Sequence, residues 1–238
     1  MKPLDEWLAT DVAEFQKNSL QKASHELFFR DPPRPLRIDR GFFFAPADGV
    51  ITTQGRFAPD EDLIETKGAQ CTVNDILGPQ HEIDGPALVI NTYMSFADVH
   101  INRMPTDATL THFPLPPLRT QNVPMLWVER GLFEHGKIEK GEMQFVKDNQ
   151  RVVNKCFCTY LRYHYFMVQI ADSDVNCIVH FSPLPHSPMN QCQRFGMIRW
   201  GSMVSLIMPL DPRFRFKTLC PTTSHVEAGD PLVAVSRA

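Results

Sequence analysis

The sequence has almost no surplus of charge. Its 24 Lys and Arg stand against 27 Asp and Glu, a formal net charge of -3 over 238 residues. A dedicated nucleic-acid binder needs a cationic excess to displace counterions from phosphates, so that class is excluded. Long apolar runs are missing as well: no stretch approaches the roughly 18–20 residues that cross a bilayer as a helix. Glycine is scarce, at 12 residues, and no repeat recurs, which excludes collagen-like and low-complexity chains. The first apolar residues, Leu4, Trp7 and Leu8, are interleaved with Asp5 and Glu6 and do not gather into the apolar region of an export signal. The six cysteines, at 71, 156, 158, 177, 192 and 220, contain no CxxC pair. Without export they read as reduced, buried thiols of a cytoplasmic protein. Cys156 and Cys158 on a strand would share one face, which is neither redox nor zinc-ligand spacing. The histidines at 112, 135, 164, 180 and 186 also lack ligand spacing, so no metal is expected.

What is present is enough apolar material, 43% of residues, for a substantial core. A chain of this length buries roughly 70–75% of its unfolded surface, and with no flexible linker a single domain over 1–238 is the simplest organisation. The 20 prolines predict rigid connections between short elements. Residues 3–29 carry apolar side chains at helical spacing and predict an amphipathic helix, packed on the core or lying on a membrane surface. From Gly41 the pattern changes to short β-type runs: 41–45, 50–54, 86–93, 109–113, 124–128, 151–160, 163–171, 175–181, 203–209 and 231–236. These predict an α+β, β-rich fold, an antiparallel sandwich or barrel-like body with an N-terminal helix. Phe113-Pro-Leu-Pro-Pro-Leu118 matches a PxxP pattern but reads as a proline-stiffened loop.

Three turn-rich segments framed by strands are candidates for chemistry: Phe44–Ile51 with Asp48-Gly49, Met94–Pro105 with His100 and Arg103, and Phe195–Val204 with Gly201-Ser202. Singly, each has a structural explanation. Asp-Gly is a common turn pair, a lone histidine is usually a packing residue, and Gly-Ser can mark a bend in a strand.

Together, in this order, the segments resemble the phosphatidylserine decarboxylase family of pyruvoyl enzymes, in its short bacterial and archaeal form. The resemblance rests on Phe28-Phe-Arg-Asp-Pro32, Ala45-Pro-Ala-Asp-Gly49, Thr66-Lys-Gly68 with Ile76-Leu-Gly78, and Met94-Ser95 with Asp98-Val-His-Ile-Asn-Arg103. Gln169-Ile-Ala171, Phe195-Gly-Met-Ile198 with Gly201-Ser202, and Val226-to-Ala234 complete it.

The resemblance implies that the Gly201–Ser202 bond cleaves itself, giving a β chain of 1–201 and an α chain of 202–238. Ser202 becomes a pyruvoyl group, whose ketone forms a Schiff base with a substrate amine and accepts electrons as carbon dioxide leaves. It further implies that His100 is the base beside Ser202, oriented by Asp48 as in a hydrolase triad. Phosphatidylserine, converted to phosphatidylethanolamine, is the family substrate. A soluble amino acid, or a non-cleaving binding role, are the alternatives. A homodimer of αβ units, at the cytoplasmic face of a membrane or free in the cytoplasm, completes the expectation.

Two positions depart from longer family members. Arg103 stands where they have a second histidine, leaving one histidine for two steps. Its guanidinium would either hold a substrate carboxylate or phosphate, or pair with Asp98 or Asp107. Met203 follows the serine where many members have Thr or Arg.

Overall fold

A computed structural model describes residues 1–34, 38–63, 71–116, 126–136, 145–171, 177–182, 184–199 and 202–238. β-Branched and aromatic residues alternate along its long strands, and antiparallel pairing buries both faces of the central ones. The large sheet runs β1 (Lys2–Pro3), β14 (Ser224–Val226), β3 (Gly49–Phe57), β4 (Ala87–Met94), β12 (Ser202–Pro209), β8 (Tyr163–Ala171), β7 (Arg151–Cys158), β6 (Ala108–Leu115) and β10 (Ser187–Met189). One smaller sheet runs β5 (Ile101–Arg103), β11 (Arg194–Ile198), β9 (Ile178–His180); the other runs β13 (Phe214–Thr218), β15 (Pro231–Arg237), β2 (Phe42–Phe44).

The period-two alternation of the central strands divides the core into two layers. Val89, Tyr93, Phe166, Val168, Ile170, Met203 and Ile207 face a layer covered by helical segments, including Trp7, Val12, Ile76, Leu132 and Phe145. Leu88, Ile90, Tyr165, Met167, Leu206 and Met208 face the opposite layer, closed by Phe43, Phe216, Leu232 and Val233 of the second small sheet. The β-rich α+β body expected from the sequence is therefore what forms.

The N-terminal helix begins with Leu4–Trp7, continues through a π-turn Leu8–Val12, and ends its first run at Ala13–Gln16. It is not continuous to residue 29. The Asn18 amide donates to the carbonyls of Glu14 and Phe15, which closes the first run before a second starts at Leu20–Lys22. Trp7 and Val12 are buried, with Leu4, Leu8 and Phe15 packed beside them, so the first run's apolar stripe faces the core.

One strand expectation is overturned. Within 124–128, the described residues begin a helix, Leu126–His135. An i,i+4 Arg130–Glu134 pair at 3.0 Å and burial of Leu132 support it, and Gly136 at φ 61° ends it. The β-propensity of Trp127-Val128 misled. Phe113–Leu115, read as a loop, extends β6, and residues 117–118 lie outside the described residues. All six cysteines are buried free thiols, and Cys156 and Cys158 enter the same core layer.

Candidate active site

The site is assembled where β4 ends. After Met94, the chain turns through Ser95–Asp98. Ser95 donates through both its backbone N–H and its hydroxyl to Asp98 Oδ2, each at 2.8 Å, and Asp98 N–H returns to the Ser95 carbonyl at 3.0 Å. This closed turn sends Val99 and His100 back toward β5.

His100 is fully buried, stacked on Phe28 with ring centroids 4.0 Å apart. Its Nε2 lies 2.9 Å from the Ser95 carbonyl. A carbonyl only accepts, so Nε2 carries the hydrogen. Burial lowers the His100 pKa to about 4, outweighing the carbonyls and the Asp98 charge that raise it. The ring is thus neutral at pH 7, and its second nitrogen, Nδ1, is an unprotonated lone pair. That nitrogen is buried and makes no well-aligned hydrogen bond among the described residues, although the Ile198 backbone also acts on the ring.

Backbone register brings Ser202 to the same corner. Ser202 opens β12 and pairs with Met94 on one side and Ala171 on the other. Ile198, at the end of β11, donates its N–H to the His100 carbonyl at 3.1 Å. Ile198 is thus tied to the His100 backbone, and Ser202 to the end of β4 at Met94. Gly201 lies outside the described residues, and of Ser202 the strand register is what is described. Ala47, Met94, Ala171, Ile198 and Val204 form one small apolar cluster here, joining all three candidate segments in a dry environment.

Asp48 is buried in the loop before β3. Gly49 is required next to it: at φ +149° a Cβ would lie 2.1 Å from the Tyr93 carbonyl. That close approach lays the loop against β4, one residue from the partner of Ser202.

The hydrogen bond expected between Asp48 and His100 does not form in this state. Asp48 Oδ1 accepts from the Ala228 N–H at 2.8 Å, and Oδ2 pairs with Arg34, which also holds Glu227. Arg34 gives one guanidinium nitrogen to Asp48 and the other to Glu227, and this charged donor, which a neutral imidazole is not, captures the carboxylate. Burial pushes the Asp48 pKa up to about 6, against the lowering effects of Arg34 and the Ala228 amide. The carboxylate that acts on His100 is Asp98.

Arg103 is buried, donates to the Cys192 carbonyl at 3.1 Å and lies 3.5 Å from Asp31. Its carboxylate partner is Asp31, not Asp98 or Asp107. Arg194 shares Asp31 at 2.8 Å. With Arg34, these arginines line a cavity of about 460 Å³, and each of them is already paired with a carboxylate. A second cavity, of about 510 Å³, lies under the N-terminal helix and is lined by Trp7, Arg30, Arg34, Asp48, Asp98 and His225. Arg34 and His225 had no signal in the sequence, because each meets its partners only through the fold, whereas Arg30 lies within the Phe28-Phe-Arg-Asp-Pro32 segment.

The phosphatidylserine decarboxylase family model matches residues 25–234. The phosphatidylserine decarboxylase proenzyme of Xanthobacter autotrophicus is 30% identical over 190 residues, covering 79% of this chain and 64% of that protein. The proenzyme of the same name from Beijerinckia indica is 29% identical over 182 residues, 76% of this chain and 62% of that protein. A Methanothermobacter thermautotrophicus protein, whose name places it with archaetidylserine decarboxylase proenzymes, is 28% identical over 208 residues, 87% of this chain and 78% of its own length. The chain thus spans less than two thirds of the two bacterial relatives. The match of the family model across both core layers and all three candidate segments makes this chain a member of the phosphatidylserine decarboxylase family.

Proposed function

We propose that this chain is a self-cleaving, pyruvoyl-dependent decarboxylase that converts phosphatidylserine to phosphatidylethanolamine and carbon dioxide. The observation that supports it most is a buried neutral His100, whose Nδ1 makes no well-aligned hydrogen bond, in the corner where β12 begins at Ser202. An unactivated serine is a weak nucleophile and needs such a base.

In this reading Ser202 Oγ loses its proton to His100 Nδ1 and attacks the Gly201 carbonyl carbon. The amide C–N bond breaks, its nitrogen takes a proton, and an ester joins the two residues. Removal of the Cα proton of residue 202 then expels Gly201 as a carboxylate and leaves a dehydroalanine. Water addition and loss of ammonia complete the pyruvoyl end of an α chain, 202–238, with a β chain of 1–201. The residues present fit that group: the dry cluster around Met94 and Ala171 would shield it, and His100 would face it. Once formed, it supplies a ketone for the substrate amine and an electron sink for the departing carboxylate.

Asp48, with a pKa near neutrality, is the second proton-exchanging group. Arg103 anchors the substrate phosphate or carboxylate in the arginine-lined cavity, in exchange for Asp31. Ile38 and Leu184, at 77% and 71% exposure, are apolar contacts for a membrane surface, and pairing of αβ units into a homodimer belongs to the same reading. Carbon dioxide release from phosphatidylserine vesicles, and none from free serine, is the expected result. Turnover of free serine alone would move the substrate to a soluble amino acid.

A further inference from the structure

The Ser95 turn that holds His100 is itself held from the far side of the chain. His225, on β14, places Nε2 at 2.7 Å from Asp98 Oδ1, while Asp98 Oδ2 takes both donors of Ser95. Ser95, Asp98, His100 and His225 are all buried, none more than 8% exposed. Burial would raise the Asp98 pKa, but the neighbouring His225 and the hydrogen bonds from His225 and Ser95 hold it below the usual carboxylate value. Asp98 is therefore an acceptor only, and His225 Nε2 must carry a hydrogen toward it. One continuous chain results: His225 N–H to Asp98, Ser95 N–H and O–H to Asp98, and His100 N–H to the Ser95 carbonyl.

We propose that His225 is a positioning residue for His100. Through Asp98 it fixes the Ser95 turn, so that the Ser95 carbonyl selects the Nε2–H tautomer of His100 and leaves Nδ1 as the base. The proposal rests on the self-cleavage reading for its consequence, and on the hydrogen-bond chain for its geometry. His225 occupies a different place from Arg103, which stands where a second histidine was sought, and does its work two hydrogen-bonded groups away from His100.

The surroundings of His225 are built for this task. Its ring is stacked on Trp7, with centroids 4.7 Å apart and planes 12° from parallel. Its backbone is fixed between Lys2 and Val50 by strand pairing. The charged groups around it are Asp98 on the turn, Lys2 on β1 and Asp11 on the N-terminal helix, which is itself tied to Lys2 at 2.6 Å. The N-terminal helix is thereby coupled, through Trp7, to the tautomer of the candidate base.

The test compares His225→Leu, which removes the donor, with His225→Gln, which keeps a side-chain N–H at similar reach. Two readouts are needed. Imidazole ¹⁵N NMR of His100, in a Ser202→Ala background that cannot cleave, reports the tautomer independently of activity. The self-cleavage rate across pH, in chains that keep Ser202, reports the consequence. By analogy with outer-shell partners elsewhere, His225→Leu should slow cleavage about 10–100-fold and give mixed His100 tautomers, with His225→Gln restoring most of both. Equal rates in both variants, with an unchanged His100 tautomer, would overturn the proposal. Should His225→Leu fail to fold, His225→Phe, which keeps the stack on Trp7 but has no donor, takes its place: mixed His100 tautomers support the proposal, and an unchanged Nε2–H tautomer refutes it. A parent chain that never cleaves, but whose His100 tautomer responds to His225→Leu, would sink the self-cleavage reading and leave the positioning role standing.

Discussion

Asp48 provides a prediction whose size can be worked from the structure. Its side chain is 5% exposed, and burial lifts its pKa from the ordinary 3.8 to about 6 even with Arg34 and the Ala228 amide opposing. A carboxyl whose folded-state pKa lies above its unfolded value favours the folded state when protonated. That contribution is fully present below the unfolded value and is lost as pH rises through about 6. At about 1.4 kcal/mol per pH unit, the separation corresponds to about 3 kcal/mol of stability given up between acid and neutral pH. Asp48→Asn, in a Ser202→Ala background, should remove that slope. Urea denaturation of the background and the variant at about pH 4 and about pH 7 measures it, because the other titrations largely cancel in the difference. Because pH 4 already lies just above the unfolded value, the variant should gain about 2 kcal/mol of that on the background between the two conditions. Parallel pH dependences in the two proteins would show that Asp48 is not an uncomfortable buried acid, and would remove it as a group poised near neutrality.

Other consequences follow from the same geometry. With the His100 pKa near 4, the self-cleavage step that uses His100 should stay available well below the usual histidine range; a His100-dependent limb near about pH 6.5 would contradict the buried-base assignment. His100→Gln should leave an uncleaved, folded precursor on a denaturing gel. Gly49→Ala would place a Cβ 2.1 Å from the Tyr93 carbonyl at φ +149°, and should cost at least about 2 kcal/mol in denaturant unfolding. An effect within about 0.5 kcal/mol would mean the loop lies elsewhere. Arg103→Gln should raise KM for phosphatidylserine vesicles about tenfold, for the loss of one charge-assisted bond of about 1.5 kcal/mol, with self-cleavage preserved. An unchanged KM would leave Arg103 as a structural partner of Asp31 and the Cys192 carbonyl.

The long strands were legible because their apolar alternation exceeds any helical signal: 163–171 matches β8 residue for residue, and 151–160 overshoots β7 by two. Short strands such as β10, β13 and β14 were missed, since three to five residues carry too little pattern to separate them from turns. Residues 126–128, the start of the helix Leu126–His135, were misassigned because β-branched and aromatic propensity yields to helical pairing and tertiary burial. For the site, the segments holding Asp48, His100 and Ser202 were recognisable, and the fold does bring their backbones together around one apolar cluster. The partners of those residues were not. Arg34 sits in a proline-rich stretch that reads only as a helix stop, and His225 meets Asp98 across 127 positions of sequence. Local spacing holds no information about such contacts; they exist only once β14 is paired beside β3.

The central claim is that the chain cuts itself before Ser202, and intact-mass spectrometry of the purified wild-type protein tests it most directly. The account predicts two polypeptides, residues 1–201 and 202–238, the shorter one lighter by one ammonia than a peptide beginning with serine. Ser202→Ala should remain a single chain. A wild-type protein that stays one uncleaved chain under conditions where it is folded would contradict the account.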